Sequence, residues 1–206
     1  MFDSSCEKGP LSAAGIAEIF SGCADFERRE VLPGLEGGRC LSVCWVDGLA
    51  DGAAIAEDIL RPLTEQARTE GLCERRLLEL LERGGVYSCT VRRRKRQDEL
   101  VTDLLAGFCC LIAEGAGEAL SFEVRSKATR SISTPQVEKS IKGGKDAFVE
   151  TLRTNTSLVR RKPRTPRLHP TETAGGRPPG PPVAVCPLEG FAREGPGGGA
   201  RRRKDA

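Results

Sequence analysis

The sequence predicts an α/β (α+β) fold, in which a mixed β-sheet is flanked by helices. Apolar runs of strand length alternate along the chain with segments whose apolar residues recur at helical spacing. Two further apolar runs are separated by Glu-Gly-Ala-Gly, which is a hairpin signal because glycine readily takes a positive φ. Helices between some strands and a tight hairpin between others favour a mixed sheet. A long helix near residues 145–159 and a disordered C-terminal tail complete the prediction.

Composition limits the classes of protein to which this chain can belong. With 38% hydrophobic residues among 206 it can bury a core, and with 4% aromatic residues that core must consist mainly of Leu, Val, Ile and Ala. A net charge of +3 is not the basic excess of a nucleic-acid binder, so no nucleic-acid partner is expected. No apolar run reaches the roughly 18 residues that cross a bilayer. Residues 1–10 lack a secretory core and the nine cysteines are irregularly spaced, so a cytosolic chain with reduced cysteines is expected.

The first part of the chain is predicted to hold four helices and four strands. The predicted helices cover residues 11–20, 51–62, 74–83 and 98–106, and the predicted strands cover residues 41–46, 86–91, 109–113 and 119–124. Asp51 is the predicted N-cap of the second helix. Because Pro62 removes a backbone hydrogen bond and crowds the preceding turn, we expect this helix to break near Leu60.

The chain divides into three predicted parts. Residues 1–126 form a first α/β subdomain, residues 127–168 a connecting segment with the signature helix described below, and residues 169–206 a tail rich in Pro, Gly and Arg. The tail has almost no apolar period, so disorder is expected over most of it. Residues 183–192 nevertheless align without gaps on residues 41–50, which suggests the degraded start of a second, similar subdomain. A chance match of two apolar strands is the open alternative.

No pattern of residues points to catalysis, a metal or a cofactor. The single histidine, His169, lies at the edge of the predicted disorder and cannot complete a catalytic triad in the core. The close cysteine pairs lack the spacing that wraps a zinc ion. Asp47, Asp51, Glu57 and Asp58 cluster near the end of the first predicted strand, where helix caps and a solvated helix face are favoured over acid–base chemistry or a cation site. The chain is therefore not expected to be an enzyme.

Two basic features could bind an anion. Residues 92–96 form a basic run without interleaved aromatic residues for base stacking, so a solvated strand end is favoured. The Gly-Gly-Lys sequence at 143–145 precedes a predicted helix, whose first backbone N–H groups can bind an anion, but the full phosphate-loop pattern is absent.

The predicted helix at 145–159 has one polar residue on its apolar stripe. Asn155 shares that stripe with Phe148, Leu152 and Val159 and is predicted to be buried. A buried amide needs a hydrogen-bond partner, since leaving it without one costs about 1–3 kcal/mol. We expect the stripe to dock on the sheet.

Residues 130–161 resemble the signature of the GerA family of spore germination proteins. The family pattern has Arg, then Pro and Glu, then a basic-Gly-x-basic-acidic-x-Phe run, followed by Glu, Asn and paired Arg. In this sequence those places are occupied by Arg130, Pro135, Glu138, Gly143, Phe148, Glu150, Asn155, Arg160 and Arg161. The likeness covers about residues 11–168. The departures are Lys142, Gly144, Ala147 and Pro163, of which Pro163 could disturb packing.

This resemblance implies the N-terminal domain of a germinant receptor A subunit, built from two similar α/β subdomains. Full-length relatives continue into transmembrane helices and work with B and C subunits to sense small nutrients. The fragment itself is expected to be cytosolic. It would reach the membrane only through a missing C-terminal half, which would place it at the cytoplasmic face of the spore inner membrane. The segment from Arg130 to Arg161 would contact another subdomain, a subunit or the membrane-proximal region in a coupling or assembly role.

Two other functions are kept as alternatives. A basic-tailed, RNA-associated protein would use residues 92–96 and 201–204 and would bind with a steep salt dependence. An anion-binding enzyme would use residues 143–145 and would be stabilised by a nucleotide or phosphate.

Overall fold

The structure is a computed structural model that describes residues 11–31, 40–67, 72–85, 89–126, 148–175 and 180–190. The chain forms two compact units. Unit 1 comprises Met1–Ser21 and Phe26–Ser126, and unit 2 comprises Gly22–Asp25 and Lys127–Ala206. The four residues of Gly22–Asp25 thus belong to a unit whose other residues all come from the later part of the chain.

Unit 1 is built on a five-stranded sheet. Its strands are β1 (Phe26–Val31), β2 (Leu41–Val46), β3 (Val91–Arg94), β4 (Phe108–Ala113) and β5 (Glu118–Glu123). The order across the sheet is β1-β2-β4-β5-β3, and all four neighbouring pairs are antiparallel. The predicted α/β combination of a sheet with flanking helices is confirmed, and β4 and β5 form the predicted hairpin. The described strands of the sheet are antiparallel throughout, and not in the mixed order that was expected.

The helices of unit 1 follow the predicted pattern closely. They are α1 (Ala13–Ile19), α2 (Gly52–Ala54), α3 (Arg61–Ala67), α4 (Glu74–Leu80) and α5 (Gln97–Leu105), and the π-helical segments Ile55–Leu60 and Leu81–Gly85 extend α2 and α4. Asp51 is the N-cap of α2, where its carboxylate accepts hydrogen bonds from the N–H groups of Ala53 and Ala54.

The break expected near Leu60 is wrong, because the helical segment continues without interruption to Ala67 and only its hydrogen bonding changes. In the π-helical segment the N–H of Arg61 donates to the carbonyl of Ala56, five residues earlier. Pro62 has no N–H to donate, and its ring crowds the preceding turn. The wider π turn accommodates the proline, so the helix continues into α3.

The core of unit 1 lies on both faces of the sheet. On one face, apolar residues of β2, β4 and β5 pack against the helical segments between residues 52 and 85. This cluster includes Leu41, Val43, Trp45, Ile55, Ile59, Leu63, Leu77, Leu78, Leu81, Leu111, Leu120 and Phe122. On the other face α5 contacts β2 and β4, and α1 contacts α5. All residues of β2 and β4 are buried, as expected for strands covered on both sides.

The cysteines of the described residues are free thiols, and those in the sheet pack as small apolar residues. Cys44, Cys109 and Cys110 are buried in the core of unit 1. Burial raises the pKa of Cys44 to about 12, so this thiol is protonated at neutral pH.

Two edge strands of unit 1 differ from the sequence prediction. β1 is missing from the predicted strands because its central residues are Glu27, Arg28, Arg29 and Glu30, and only its pairing with β2 defines it. The strand predicted over residues 86–91 is wrong in its bounds. The structure starts β3 at Val91 and continues it into the basic run as far as Arg94, and residues 86–88 lie outside the described part of the chain.

Unit 2 contains a helix followed by a hairpin. Helix α6 spans Leu152–Arg161, and strands β6 (Thr171–Ala174) and β7 (Pro182–Val185) pair antiparallel, with α6 in contact with β7. The disorder predicted from residue 171 onwards is therefore wrong for both strands. The composition of neither segment predicts a strand, and it is the backbone hydrogen bonds between the two that define them as strands. Residues 191–206 lie outside the described part.

The long helix predicted near residues 145–159 is also wrong in its bounds. It begins at Leu152, after an N-cap at Thr151 whose φ of −85° and ψ of 114° are extended, and it continues to Arg161. Phe148 precedes it and is 71% exposed. The buried face of α6 consists of Thr156, Ser157, Leu158 and Arg160, so the stripe predicted to dock on the sheet is not the one that is buried.

Unit 2 repeats the beginning of unit 1 at a constant spacing of 142 residues. A helix leads into a hairpin in both units, and Phe26 faces Val46 across the first hairpin as Leu168 faces Leu188 across the second. Gly48 and Gly190 follow at the same spacing with φ of 80° and 81°, a left-handed conformation that favours glycine. The two aligned segments thus share their strand pairing and their turn geometry.

Candidate interaction site

The residues of the predicted signature are divided between described and undescribed parts of the chain. Arg130, Pro135, Glu138 and Gly143 lie outside the described residues, as does the Gly-Gly-Lys sequence at 143–145, so their predicted roles stay predictions. The other five members are described, and they are Phe148, Glu150, Asn155, Arg160 and Arg161.

Asn155 holds the segment that enters α6. Its Oδ1 accepts a hydrogen bond of 2.7 Å from the N–H of Val149, and its Nδ2 donates one of 2.6 Å to the carbonyl of the same residue. The side-chain amide thus pairs with Val149 as a neighbouring strand would. The partner that the sequence required for Asn155 is therefore a backbone group six residues earlier.

Phe148 lies immediately before the residue that Asn155 holds. Its side chain is 71% exposed, and among the described residues it is one of two large hydrophobic side chains counted as exposed, the other being Val183 at 38%. Glu150, on the other side of Val149, is also exposed. The two hydrogen bonds between Asn155 and Val149 therefore order the backbone between the exposed side chains of Phe148 and Glu150.

Arg160 has a different role from the one that the sequence suggested. Its side chain is fully buried, and its Nε and Nη2 donate to the two carboxylate oxygens of Asp25 at 2.7 and 2.6 Å. Its Nη1 donates to the carbonyl of Leu168 at 2.9 Å. Burial alone would lower the pKa of Arg160, but the hydrogen bond and the charge of Asp25 raise it, so the guanidinium stays charged. The arginine fastens Gly22–Asp25 within unit 2.

Arg161 lies in the last turn of α6 and is half-buried. A positive charge in this position interacts favourably with the negative end of the helix dipole. Of the paired arginines, only Arg161 keeps part of its side chain at the surface.

The sequence did not reveal the thiol and imidazole that meet beside this ion pair. Cys23 Sγ lies 3.6 Å from the carbonyl oxygen of Leu168 and 3.6 Å from Nδ1 of His169, and Nε2 of His169 lies 3.6 Å from Glu189 Oε2. Burial is the largest influence on Cys23 and raises its pKa. The thiol is therefore mostly protonated at neutral pH, which makes it a poor nucleophile.

Carboxylates lie beside every side chain of the basic run at residues 92–96. Arg93 forms ion pairs of 2.6 Å with Glu82 and with Glu118, and Arg94 forms one of 2.8 Å with Asp103. Arg92, Lys95 and Arg96 each have an acidic partner within 4 Å as well. The run is therefore neutralised locally, which does not favour binding of a nucleic-acid backbone.

The acidic residues near the end of β2 serve local structure, as the sequence favoured. Asp51 caps α2, Asp47 accepts a hydrogen bond from the N–H of Gly48, and Glu57 pairs with Arg61 at 3.0 Å. In the described ranges no group of three or more His, Cys, Asp or Glu side chains could hold a metal ion. In the same ranges no helix combines the length and the apolar character that a bilayer crossing requires.

Comparison with known proteins places the chain in a family. The family model described as "Bacillus/Clostridium GerA spore germination protein" matches residues 14–195. The chain belongs to the GerA family. This match includes both units and runs through the signature segment, so it confirms the family suggested by the sequence.

Curated relatives of the GerA chain come from Bacillus subtilis (strain 168). The chain is 28% identical to spore germination protein KA over 190 residues, which are 90% of this chain and 34% of that protein. It is 31% identical to stage V sporulation protein AF over 152 residues, and 31% identical to spore germination protein B1 over 148 residues. These matches cover 74% and 72% of this chain and 30% of each relative. The chain thus spans about a third of the length of these relatives.

One solved structure has the same fold. The crystal structure of the N-terminal domain of the A subunit of the Bacillus megaterium spore germinant receptor GerK3 matches with a TM-score of 0.73 at 24% identity, covering 95% of this chain and 71% of that one. This likeness shows the fold, and the family model supplies the family.

Proposed function

We propose that this GerA chain acts as the N-terminal domain of a germinant receptor A subunit and that it helps to assemble or couple the receptor through the surface around Phe148. Its place would be the cytoplasmic face of the spore inner membrane, with B and C subunits as partners. The role is one of binding and requires no catalytic group. Family membership supports the receptor context, and the exposed Phe148 supports the binding surface.

The observation that carries this proposal is an exposed aromatic side chain on a fixed backbone. Phe148 is 71% exposed, and the two hydrogen bonds between Asn155 and Val149 order the residue beside it. Burying an exposed phenylalanine contributes about 1.5–3 kcal/mol, and aromatic residues are enriched in the centres of protein interfaces. Because these hydrogen bonds order the backbone before binding, less conformational entropy is lost when a partner covers the ring of Phe148.

The charge pattern next to Phe148 limits what the partner can be. Glu150 is exposed two residues away, so a complementary surface would offer an apolar pocket with a cation near its rim. Arg160 is unavailable to that partner because it is buried against Asp25. The sequence predicted a contact through Arg160 and Arg161. The proposed contact is centred on Phe148 instead.

Co-purification tests this proposal. The chain, tagged and produced with B and C subunits, is compared with Phe148→Ala, with Asn155→Leu and with Val183→Ala as a matched exposed apolar control from unit 2. We expect Phe148→Ala to lower the apparent affinity at least about tenfold. Asn155→Leu should weaken recovery as well because it releases Val149. Val183→Ala should be recovered like the unchanged chain, and equal recovery of Phe148→Ala would refute the proposal.

The RNA-associated alternative gains no support from the described residues. It required the basic run at residues 92–96 to face a nucleic-acid backbone, and each of those five side chains has a carboxylate partner. Pairing of this kind removes the counterion release that drives such binding.

A further inference from the structure

Two arginines of α6 hold the four residues of Gly22–Asp25, which we call the docked segment. Arg160 donates to both carboxylate oxygens of Asp25, 135 residues earlier in the chain. Nη1 of Arg153 donates to the carbonyl of Ala24 at 3.0 Å, 129 residues earlier. The two arginines are about two helical turns apart, so they lie on the same face of α6. One face of this helix is thus bound to the docked segment.

A different face of α6 orders the backbone beside Phe148. Asn155 follows Arg153 by two positions, and two positions turn about 200° around a helix. The side chain of Asn155 accepts a hydrogen bond from the N–H of Val149 and donates one to the carbonyl of the same residue. Helix α6 therefore connects the docked segment with the backbone at Val149.

The order of α6 depends on contacts with other segments. Its ten residues are fewer than the roughly 12–15 that an isolated helix needs in water. Its buried residues are Thr156, Ser157, Leu158 and Arg160, and of these only Leu158 is apolar. The hydroxyls of Thr156 and Ser157 bond to carbonyls three residues earlier in α6 itself. Directional bonds to the docked segment therefore contribute much of what holds this helix in place.

We propose that the docked segment regulates the surface around Phe148 through α6. While Ala24 and Asp25 are bound, α6 is ordered, and Asn155 orders the backbone beside Phe148. When the segment leaves, α6 frays and releases Val149, so a partner must order this backbone itself and binds more weakly. Such coupling is reciprocal, so a partner bound at Phe148 strengthens the docking. The regulation rests on the proposed function, whereas the coupling is a property of this chain alone.

Amide hydrogen exchange of the whole chain, without any partner, tests the coupling. Arg153→Met keeps the helix propensity of this position and removes the donor to the carbonyl of Ala24. We expect it to accelerate exchange of the Val149 amide about threefold or more. Glu172 pairs with Arg153 at 3.1 Å, so Glu172→Gln is the matched control. It removes the charge of that ion pair, leaves Arg153 in place and should not change the exchange of Val149.

The reciprocal measurement starts from the other face of the helix. The N–H of Ala24 donates to the carbonyl of Pro170 at 2.7 Å, so exchange of this amide reports undocking of the segment. Asn155→Leu should accelerate this exchange about threefold or more, since coupling acts equally in both directions. Phe148→Ala keeps both bonds between Asn155 and Val149, and it should leave exchange of the Ala24 amide unchanged.

Co-purification with B and C subunits then measures the regulation. Arg153→Met should lower the apparent affinity about threefold, and Glu172→Gln should be recovered like the unchanged chain. The coupling is overturned if exchange of Val149 is the same in Arg153→Met as in the unchanged chain. It is also overturned if Glu172→Gln accelerates that exchange equally, because the effect is then a general loss of stability. Equal recovery of Phe148→Ala would instead refute the proposed function, and the regulation with it, while the coupling stands.

Discussion

The two helix–hairpin segments of this protein share a backbone plan but differ in what stabilises them. In unit 1, β2 is central in a five-stranded sheet and all six of its residues are buried. In unit 2, β7 lies in a two-stranded sheet and its residues are exposed or half-buried. Unit 2 also contains a fully buried ion pair between Arg160 and Asp25, whereas the described core cluster of unit 1 is apolar.

This difference shows that the pairing register and the glycine turn do not depend on a large apolar core. Both hairpins keep the same register, and Gly48 and Gly190 have nearly the same φ. Apolar burial stabilises the first copy in many small increments, whereas a few directional hydrogen bonds stabilise the second. The two copies should therefore respond differently to matched substitutions.

The largest expected effect is the loss of the ion pair in unit 2. Arg160→Met leaves the carboxylate of Asp25 buried without its partner, so we expect unit 2 to lose about 4 kcal/mol of unfolding free energy. Hydrogen exchange of the β6 and β7 amides measures this loss. The double variant Arg160→Met, Asp25→Leu should regain most of it, since no charge is then buried, although the carbonyl of Leu168 still lacks the hydrogen bond from Nη1 of Arg160. Unchanged protection in Arg160→Met would show that the ion pair does not stabilise the hairpin.

A matched valine pair tests the difference in burial directly. Val43 and Val185 occupy corresponding positions, but Val43 is fully buried and Val185 is half-buried. Val43→Ala should cost about 2 kcal/mol from lost burial and a residual cavity, and Val185→Ala less than about 1 kcal/mol. Urea titration of the first variant, followed by Trp45 fluorescence, and exchange of the β7 amides in the second measure the two costs. Equal costs would contradict the proposed difference in packing.

The glycine turns should behave alike in both units. Gly48→Ala and Gly190→Ala each force a side chain into a left-handed conformation, which costs roughly 1–2 kcal/mol whatever surrounds it. Among the described residues, no atom lies within 4 Å of the position that a Cβ would take at Gly190, so the cost expected there comes from the backbone. Comparable shifts in the two local stabilities, measured by hydrogen exchange, are expected, and a much larger cost at only one site would break the equivalence.

The smallest expected effect is a dependence on pH that is confined to unit 1. The hydrogen bond from Lys95, followed by that from Arg93, lowers the pKa of Glu118. A carboxyl group whose pKa is lower in the folded state stabilises that state above its unfolded pKa of about 4.3, and the contribution is lost as the pH falls through the folded pKa. Glu118→Gln should therefore cost more stability at pH 7 than at pH 3. The difference should be below about 1 kcal/mol because Lys95 is 71% exposed. Urea titrations at both pH values check the sign.

Local sequence patterns predicted the elements whose partners lie close in sequence or whose faces are both apolar. Strand β2 was predicted from its continuous apolar run, and the hairpin of β4 and β5 from a glycine turn between two such runs. β1 was missed because a charged edge strand is recognised only by the strand that it pairs with.

The candidate site was predicted less well, for reasons that lie in distant contacts. Phe148 continues the apolar period of α6, so the sequence placed it in the helix, whereas the bond between Asn155 and Val149 keeps the preceding residues extended. The partner of Arg160 lies 135 residues away, and no local pattern relates the two. Asn155 was the exception. A polar residue on an apolar stripe predicts that a hydrogen-bond partner exists, although the sequence does not identify that partner.

The position of Gly22–Asp25 has a practical consequence for anyone dividing this protein. The stacked rings of Phe20 and Phe26, 4.8 Å apart, mark the two points where the chain leaves unit 1 and returns to it. A single cut after Ser126 would give a second piece in which Arg160 has lost Asp25, together with a first piece that carries an orphaned carboxylate. A separately produced unit 2 would need residues Gly22–Asp25 added to its N-terminus, or an uncharged replacement for Arg160.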